Sequence, residues 1–372
     1  RSPVAVAEAA TVPVSGWERF GASSPAGTFC SSTAAIAQAV FAPRPANPAA
    51  ASDRRSVTLC VMAGSPGLAA RRLVFVTGKG GVGKTTVAAA LALAAAGRGL
   101  RTIVCSIAAE EHLGALFGSD ALDHSERPLA EGVWGIAVEP RRARDEWLHY
   151  QLPAPLAALL ARSRLLDHLG TLAPGLEELL AIGKVWEVSQ PERIAAGAAP
   201  YDLAIVDAPA TGHGLAVLSA PHTFAQIARV GPVRRHAEHI DRFLRDPAAT
   251  AVIAVTRPEE LPLLETLELA TRLESALGRR LDLAVVNGVV PLRLTADEAK
   301  RLAAAELDGA ARKAATLALS ERRVAVRHSA AAARLRRRGV PVSTLPQLPA
   351  LDDDAARGEA LAALARRLAR VL

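Results

Sequence analysis

The sequence predicts an α/β protein built on a doubly wound, mostly parallel sheet with an α-helical insertion. Three observations predict it. Short, almost wholly apolar runs recur at 73–77, 102–105, 203–207, 251–256, 283–287 and 340–345, as expected for strands covered on both faces. Helix-period stretches separate these runs, the alternation that builds a parallel sheet. A glycine-rich loop joins the first run to the first helix, at residues 78–86.

Composition bounds the rest. The chain has 372 residues, half of them hydrophobic, enough for one large or two ordinary domains. No apolar run approaches the ~18 residues that a membrane-spanning helix needs. The formal charge is +7, and much of the excess sits in arginine runs such as Arg334, Arg336, Arg337 and Arg338. Such runs are usually solvated helix faces. Aromatic residues are only 3%, which argues against a base-stacking surface and hence against a nucleic-acid partner. Cys30, Cys60 and Cys105 are far apart, so neither a disulfide scaffold nor a zinc site is expected and a reducing cytoplasm fits.

Residues 1–61 are rich in Ala, Ser and Pro without a sustained apolar period. They read as a disordered leader or upstream translation, with Met62 as the natural start; a transit peptide is the competing reading, because acids there are few. Residues 62–372 are then one domain. Its first strand, 73–77, runs into the glycine loop, and a helix from Lys84 to about Ala96 follows, stopped by Gly97 and Gly99. Residues 141–200 lack strand signals and are rich in Leu and Ala, so they read as the helical insertion. A helix over 259–277 stops at Gly278, and another starts at Thr295 with a capping box completed by Glu298.

Residues 78–86 read Gly-Lys-Gly-Gly-Val-Gly-Lys-Thr-Thr, satisfying G-x-x-x-x-G-K-[ST]. Glycines let the backbone N–H groups of Gly78, Gly80, Gly81, Val82 and Gly83 curl around phosphate. Lys84 supplies a point charge, Thr85 offers a hydroxyl to Mg²⁺, and the helix start, with Thr86, adds its dipole. A polyphosphate with Mg²⁺ is the expected ligand. The 203–207 strand ends on Asp207, a carboxylate able to hold Mg²⁺ through water. Asp207-Ala208-Pro209-Ala210-Thr211-Gly212-His213-Gly214-Leu215 follows, rich in residues that permit a loop reshaped by the γ-phosphate.

With Lys79 beside Lys84, the loop resembles the deviant phosphate loop of the arsenical-pump, nitrogenase iron-protein and Min/partition ATPases. The D-x-x-x-T-G-H-x-L string resembles switch II of the arsenical-pump ATPase family and of its eukaryotic relative that targets tail-anchored proteins. That resemblance implies that the polyphosphate is ATP, bound in a nucleotide-sandwich homodimer in which Lys79 crosses to the partner's phosphate, with Thr211, Gly212 and His213 sensing nucleotide. Val285-Val286-Asn287 resembles the family's adenine-reading segment, since an amide matches the donor and acceptor of adenine; Leu345-Pro346 would border the base. The segment from Val255 to Glu260, then Glu265-Thr266, resembles an architectural strand–T-x-P-E–helix unit, and 173–187 the helical stretch before switch II.

The departures are equally specific. In the register of the family's water-positioning aspartate stands Ala108, followed by Glu110 and Glu111. Either hydrolysis is impaired, or one of these glutamates, Glu111 foremost, supplies the carboxylate from a shifted position. The metalloid-binding cysteines, a zinc-bridging Cys-x-x-Cys and a methionine-rich groove are all missing, so neither arsenite nor tail-anchored proteins are supported as cargo. The reading is a cytoplasmic or membrane-peripheral ATPase with an unknown client or membrane partner. A nucleotide-gated binding module with negligible hydrolysis remains open. So does a Min/partition-type positioning ATPase, for which 355–372 would be the amphipathic membrane helix.

Overall fold

The computed structural model describes residues 67–107, 112–151, 175–195, 197–228, 230–348 and 354–372; Ala108, Glu110, Glu111 and the leader lie outside them. The sheet has eight strands: β1 Leu73–Gly78, β2 Thr102–Ser106, β3 Arg127–Ala130, β4 Val133–Ala137, β5 Leu203–Ala210, β6 Thr250–Thr256, β7 Leu283–Val289 and β8 Val342–Pro346. Their order is β3-β4-β2-β5-β1-β6-β7-β8. All neighbours run parallel except β3 and β4, an antiparallel pair at one edge. The alternation of apolar runs and helices thus gives the predicted doubly wound sheet. The edge hairpin was missed because its strands are short and β3 begins on exposed Arg127 and Pro128; the turn residue Gly132, at φ +72°, was its one signal.

Ten helices complete the described architecture: α1 Lys84–Ala96, α2 His112–Leu116, α3 Pro140–Gln151, α4 Leu176–Val188, α5 Thr211–Ile227, α6 Pro232–Arg245, α7 Glu260–Leu277, α8 Ala296–Ala304, α9 Gly309–Arg337 and α10 Asp354–Leu368. The pleat divides each central strand between two cores. On one face Phe75, Cys105, Val206 and Ala254 pack with α4, α5, α6 and α7. On the other Val76, Val104, Ile205 and Ile253 pack with α1 and α10. The α1 helix is alanine-rich and buried from Val87 to Ala95, which lets it lie close on the sheet. Thr295 and Glu298 form the expected capping box at α8.

Two expectations are corrected. The C-terminal helix does not offer an apolar face: Leu361, Leu364 and Leu368 are almost wholly buried against the α1 side of the sheet. Its apolar stripe is a core stripe. Secondly, the residues after Asp207 do not form a loop. β5 continues to Ala210 and α5 starts at Thr211 without an intervening turn. No helix among the described residues is long and apolar enough to cross a membrane.

Candidate active site

The central strand β1 delivers the glycine loop to the sheet's C-terminal edge, between β5 and β6, the position where open α/β sheets bind ligands. Gly78 has φ +150°, and a Cβ there would overlap the Val255 carbonyl oxygen. Gly83 has φ +92°, and a Cβ would lie 2.5 Å from Asn287 Nδ2. Gly80 and Gly81 face open space. Two glycines thus close the loop onto its neighbours, and two keep its mouth unobstructed.

The loop leaves donors unused. Among the described residues, the N–H groups of Gly80 to Thr86 donate to no backbone carbonyl, and the first paired amide is that of Val87, to Gly83 O at 3.0 Å. These are the orphan donors of a helix start extended by a nest, a site for an anion with several oxygens. Lys84 turns back over the loop, and its Nζ donates to the Lys79 carbonyl at 3.3 Å. Thr85 and Thr86, in the first turn of α1, are half-buried.

Asp207 is 2% exposed and stands level with Val76 of β1 and Ser106 of β2. Its carbonyl accepts from the Ile107 N–H at 3.1 Å, so β2 leaves the sheet beside it. A hydroxyl at Thr85 and a carboxylate at Asp207 are hard oxygen donors, the set that Mg²⁺ uses when phosphates and water fill its other positions. Thr211, Gly212 and His213 form the first turn of α5, and Gly212 and His213 are exposed. The strand register pairs Ala210 with Gly78, placing this helix start beside the loop. Gly214 holds α5 against β1, since a Cβ would come 2.5 Å from Thr77 Oγ1.

Asn287 ends up on the loop: its Nδ2 donates to the Val82 carbonyl at 2.9 Å. Pro346 closes β8 opposite Val289, two residues beyond Asn287, so both share one end of the sheet. The Arg257 guanidinium approaches Gly288 and pairs with Glu259 at 2.9 Å. Lys79 does not extend into solvent. Its Nζ lies 2.6 Å from Glu265 Oε1, both side chains about one-third exposed.

Sequence reasoning missed a partly buried ionic network among α3, α4 and the start of the edge hairpin. Lys184 bonds Glu146 at 2.9 Å and Glu187 at 3.1 Å, while Arg193 bonds Glu187 at 2.8 Å and Glu126 at 2.5 Å. Tyr201 donates to Glu126 at 2.8 Å. Burial would raise the Glu146 carboxyl, yet His124 and Lys184 hold it down to about 2. The network ties α3 and α4 to the edge hairpin. Above it, His236 packs edge-on to Trp186 at 5.2 Å, and burial, aided by His239, lowers its pKa to about 4. The i,i+3 spacing of Lys184 and Glu187 on one helix is the one local signal; Glu126 and Arg193 are 67 residues apart, and no spacing announces them.

Comparison with known proteins points the same way. The sequence model of anion-transporting ATPases matches residues 71–234. The chain is 31% identical over 244 residues to the ATPase BagA of Mycobacterium tuberculosis, across 64% of this chain and 71% of that protein. It is 26% identical over 255 residues to an Escherichia coli arsenical pump-driving ATPase, across 61% of this chain and 40% of that one. The ATPase ARSA1 of Chlamydomonas reinhardtii is 27% identical over 263 residues, across 62% and 33%.

Proposed function

The chain belongs to the anion-transporting ATPase family, and from that premise we propose that it is a Mg²⁺-dependent ATP hydrolase, working as a nucleotide-switched homodimer coupled to a client protein or membrane partner. The observation that carries this reading is the loop of unpaired amides from Gly80 to Thr86 under the Lys84 ammonium. Phosphoryl transfer asks a protein mainly for positioning and charge stabilisation. The amides of Gly80, Gly81, Val82 and Gly83 bind the β-phosphate, and Lys84 exchanges the Lys79 carbonyl for β/γ oxygens. Thr85 and, through water, Asp207 would hold Mg²⁺, which would supply charge neutralisation to the phosphates.

Thr211, Gly212 and His213 read the γ-phosphate from the first turn of α5. Because β5 and α5 adjoin directly, the response is a shift of the helix start rather than a loop refolding. Asn287 and Pro346 take the adenine, with the Asn287 amide also bracing the loop at Val82. Lys79 serves the opposite subunit once Glu265 releases it. Glu111 carries the water-orienting carboxylate in place of Ala108. The nucleotide-gated module keeps one specific support, the alanine at 108, which can neither orient nor polarise water.

The experiment that tests the proposal measures molar mass by light scattering with MgADP and with a slowly hydrolysed ATP analogue plus Mg²⁺. The proposal expects the mass to double with the ATP analogue only. A chain that binds the analogue and stays monomeric would remove the dimer from the account; one that binds neither nucleotide would remove the site.

A further inference from the structure

The helix α9 carries eight Arg and Lys residues against the single acid Glu321, a net +7 equal to the formal excess of the entire chain. Six of the eight share one face, with Arg322 and Arg336 off it. At about 100° per residue, Arg312, Lys313, Arg323, Arg327, Arg334 and Arg337, with Arg338 just beyond the helix, fall within one arc of about 120°. In the C-terminal half the buried positions Ala325, Ala331, Ala332 and Leu335 centre about 125° away. The stripe runs for about 39 Å at 1.5 Å per residue.

None of the seven has a carboxylate within salt-bridge distance among the described residues, whereas Arg127, Lys184, Arg193, Arg234 and Arg245 elsewhere in the fold are ion-paired. Arg322, off the stripe, turns inward to the carbonyls of Leu294 and Thr295. Residues 290–308, which hold α8 against α9, carry nearly balanced charge and do not offset the excess. At the two margins of the arc, Leu317 and Val326 are 72% and 43% exposed. The helix contains no aromatic, Asn or Gln residue.

We propose that this face of α9 docks on an anionic lipid bilayer, lying in the plane of the surface. A straight row of unpaired cations complements a sheet of anionic headgroups, and apolar side chains along its margins can enter the boundary beneath them. Nucleic acid is the poorer match, because a phosphate backbone takes up cations but gives no apolar boundary to the exposed side chains of Leu317 and Val326. The surface is separate from the phosphate loop, so docking does not require nucleotide. It also does not require the C-terminal helix, whose apolar face is buried.

The test is co-sedimentation of the full chain with vesicles of phosphatidylcholine alone or with 30 mol% phosphatidylglycerol added (roughly a physiological anionic fraction). Binding is expected only to the anionic vesicles, falling as salt is raised from about 50 to 300 mM, where screening shortens. Arg312→Gln/Lys313→Gln/Arg323→Gln/Arg327→Gln changes four exposed side chains and should keep the parent's circular dichroism and melting temperature. Its partition onto anionic vesicles should fall roughly 10²–10³-fold, at about fivefold per lost cation. Equal sedimentation with both vesicle types would overturn the proposal, as would a neutralised variant that sediments like the parent. So would tighter binding to a random duplex DNA than to the anionic vesicles, lost in the same variant, because the stripe would then be a nucleic-acid surface.

Discussion

Lys79 of the phosphate loop and Glu265, in the second turn of α7, form an ion pair at 2.6 Å that spans 186 residues of sequence. The pair holds within one chain the lysine that the dimer account sends to the other subunit. Both partners are about one-third exposed, so the pair is worth no more than about 1 kcal/mol. That is a restraint of the size nucleotide-driven closure can displace.

Glu265→Gln should therefore free Lys79 and raise ATP-dependent dimerisation and turnover by up to about fivefold, the equivalent of that energy. Lys79→Ala should abolish the stimulation in the double variant. The comparison is a phosphate-release assay on the two single variants and the double. A Glu265→Gln protein slower than the parent would show that the glutamate supports activity instead of restraining it.

The glycine loop was legible from the sequence because its chemistry is local. The motif from Gly78 to Thr86 is contiguous, and its backbone donors adjoin the helix start that completes them. The Lys79–Glu265 and Arg193–Glu126 pairs were not, because their members meet only after the sheet and helices have assembled. Local cues also misled. Pro209 and Gly212 suggested a loop after Asp207, but the strand carries through Pro209, which falls where the β1–β5 register shifts and a missing N–H is tolerated, and Gly212 sits within the first helical turn. Leu361, Leu364 and Leu368 looked like a membrane stripe because periodicity shows that a face is apolar, not what covers it.

Leu364 is 1% exposed in the core shared by α10, α1 and the sheet. Leu364→Ala should cost about 2–5 kcal/mol, the range for emptying a leucine site in a packed core. Urea unfolding at neutral pH reads this directly. A change below roughly 0.5 kcal/mol, as at an exposed surface position, would mean that the helix is not seated there in solution.

His236 makes stability pH-dependent. Its folded pKa is lowered from 6.5 to about 4, mainly by burial, so the unfolded chain binds the proton more readily. Stability is then complete above pH 6.5 and falls as pH drops toward 4, by about 2 kcal/mol at pH 5. Glu146, held near 2, loses its contribution only below its ordinary range, outside this window. Denaturant unfolding at pH 7.5 and 5.0 should show the fall in the parent and a flatter profile in His236→Gln. Identical slopes in the two proteins would place the pH dependence elsewhere.

The carboxylate at 111 is testable by turnover against affinity. Losing one positioned group in a transition state typically costs roughly 10²–10³-fold in rate. Glu111→Gln should lose that much hydrolysis while its ATP affinity stays within a factor of about two, because uniform binding is untouched. Ala108→Asp should hydrolyse at least as fast as the parent. If Glu111→Gln turns over like the parent, Glu111 is a surface acid.

The most direct measurement is steady-state phosphate release from ATP by the full chain, with Mg²⁺ and with a chelator, beside Lys84→Ala. On this account Lys84 would provide a charge-assisted contact to phosphate worth about 1.5–3 kcal/mol, and more where charge develops in the transition state. The account predicts slow release that needs Mg²⁺ and falls to background in Lys84→Ala. Release by the parent no faster than by Lys84→Ala, or unaffected by the chelator, would contradict it.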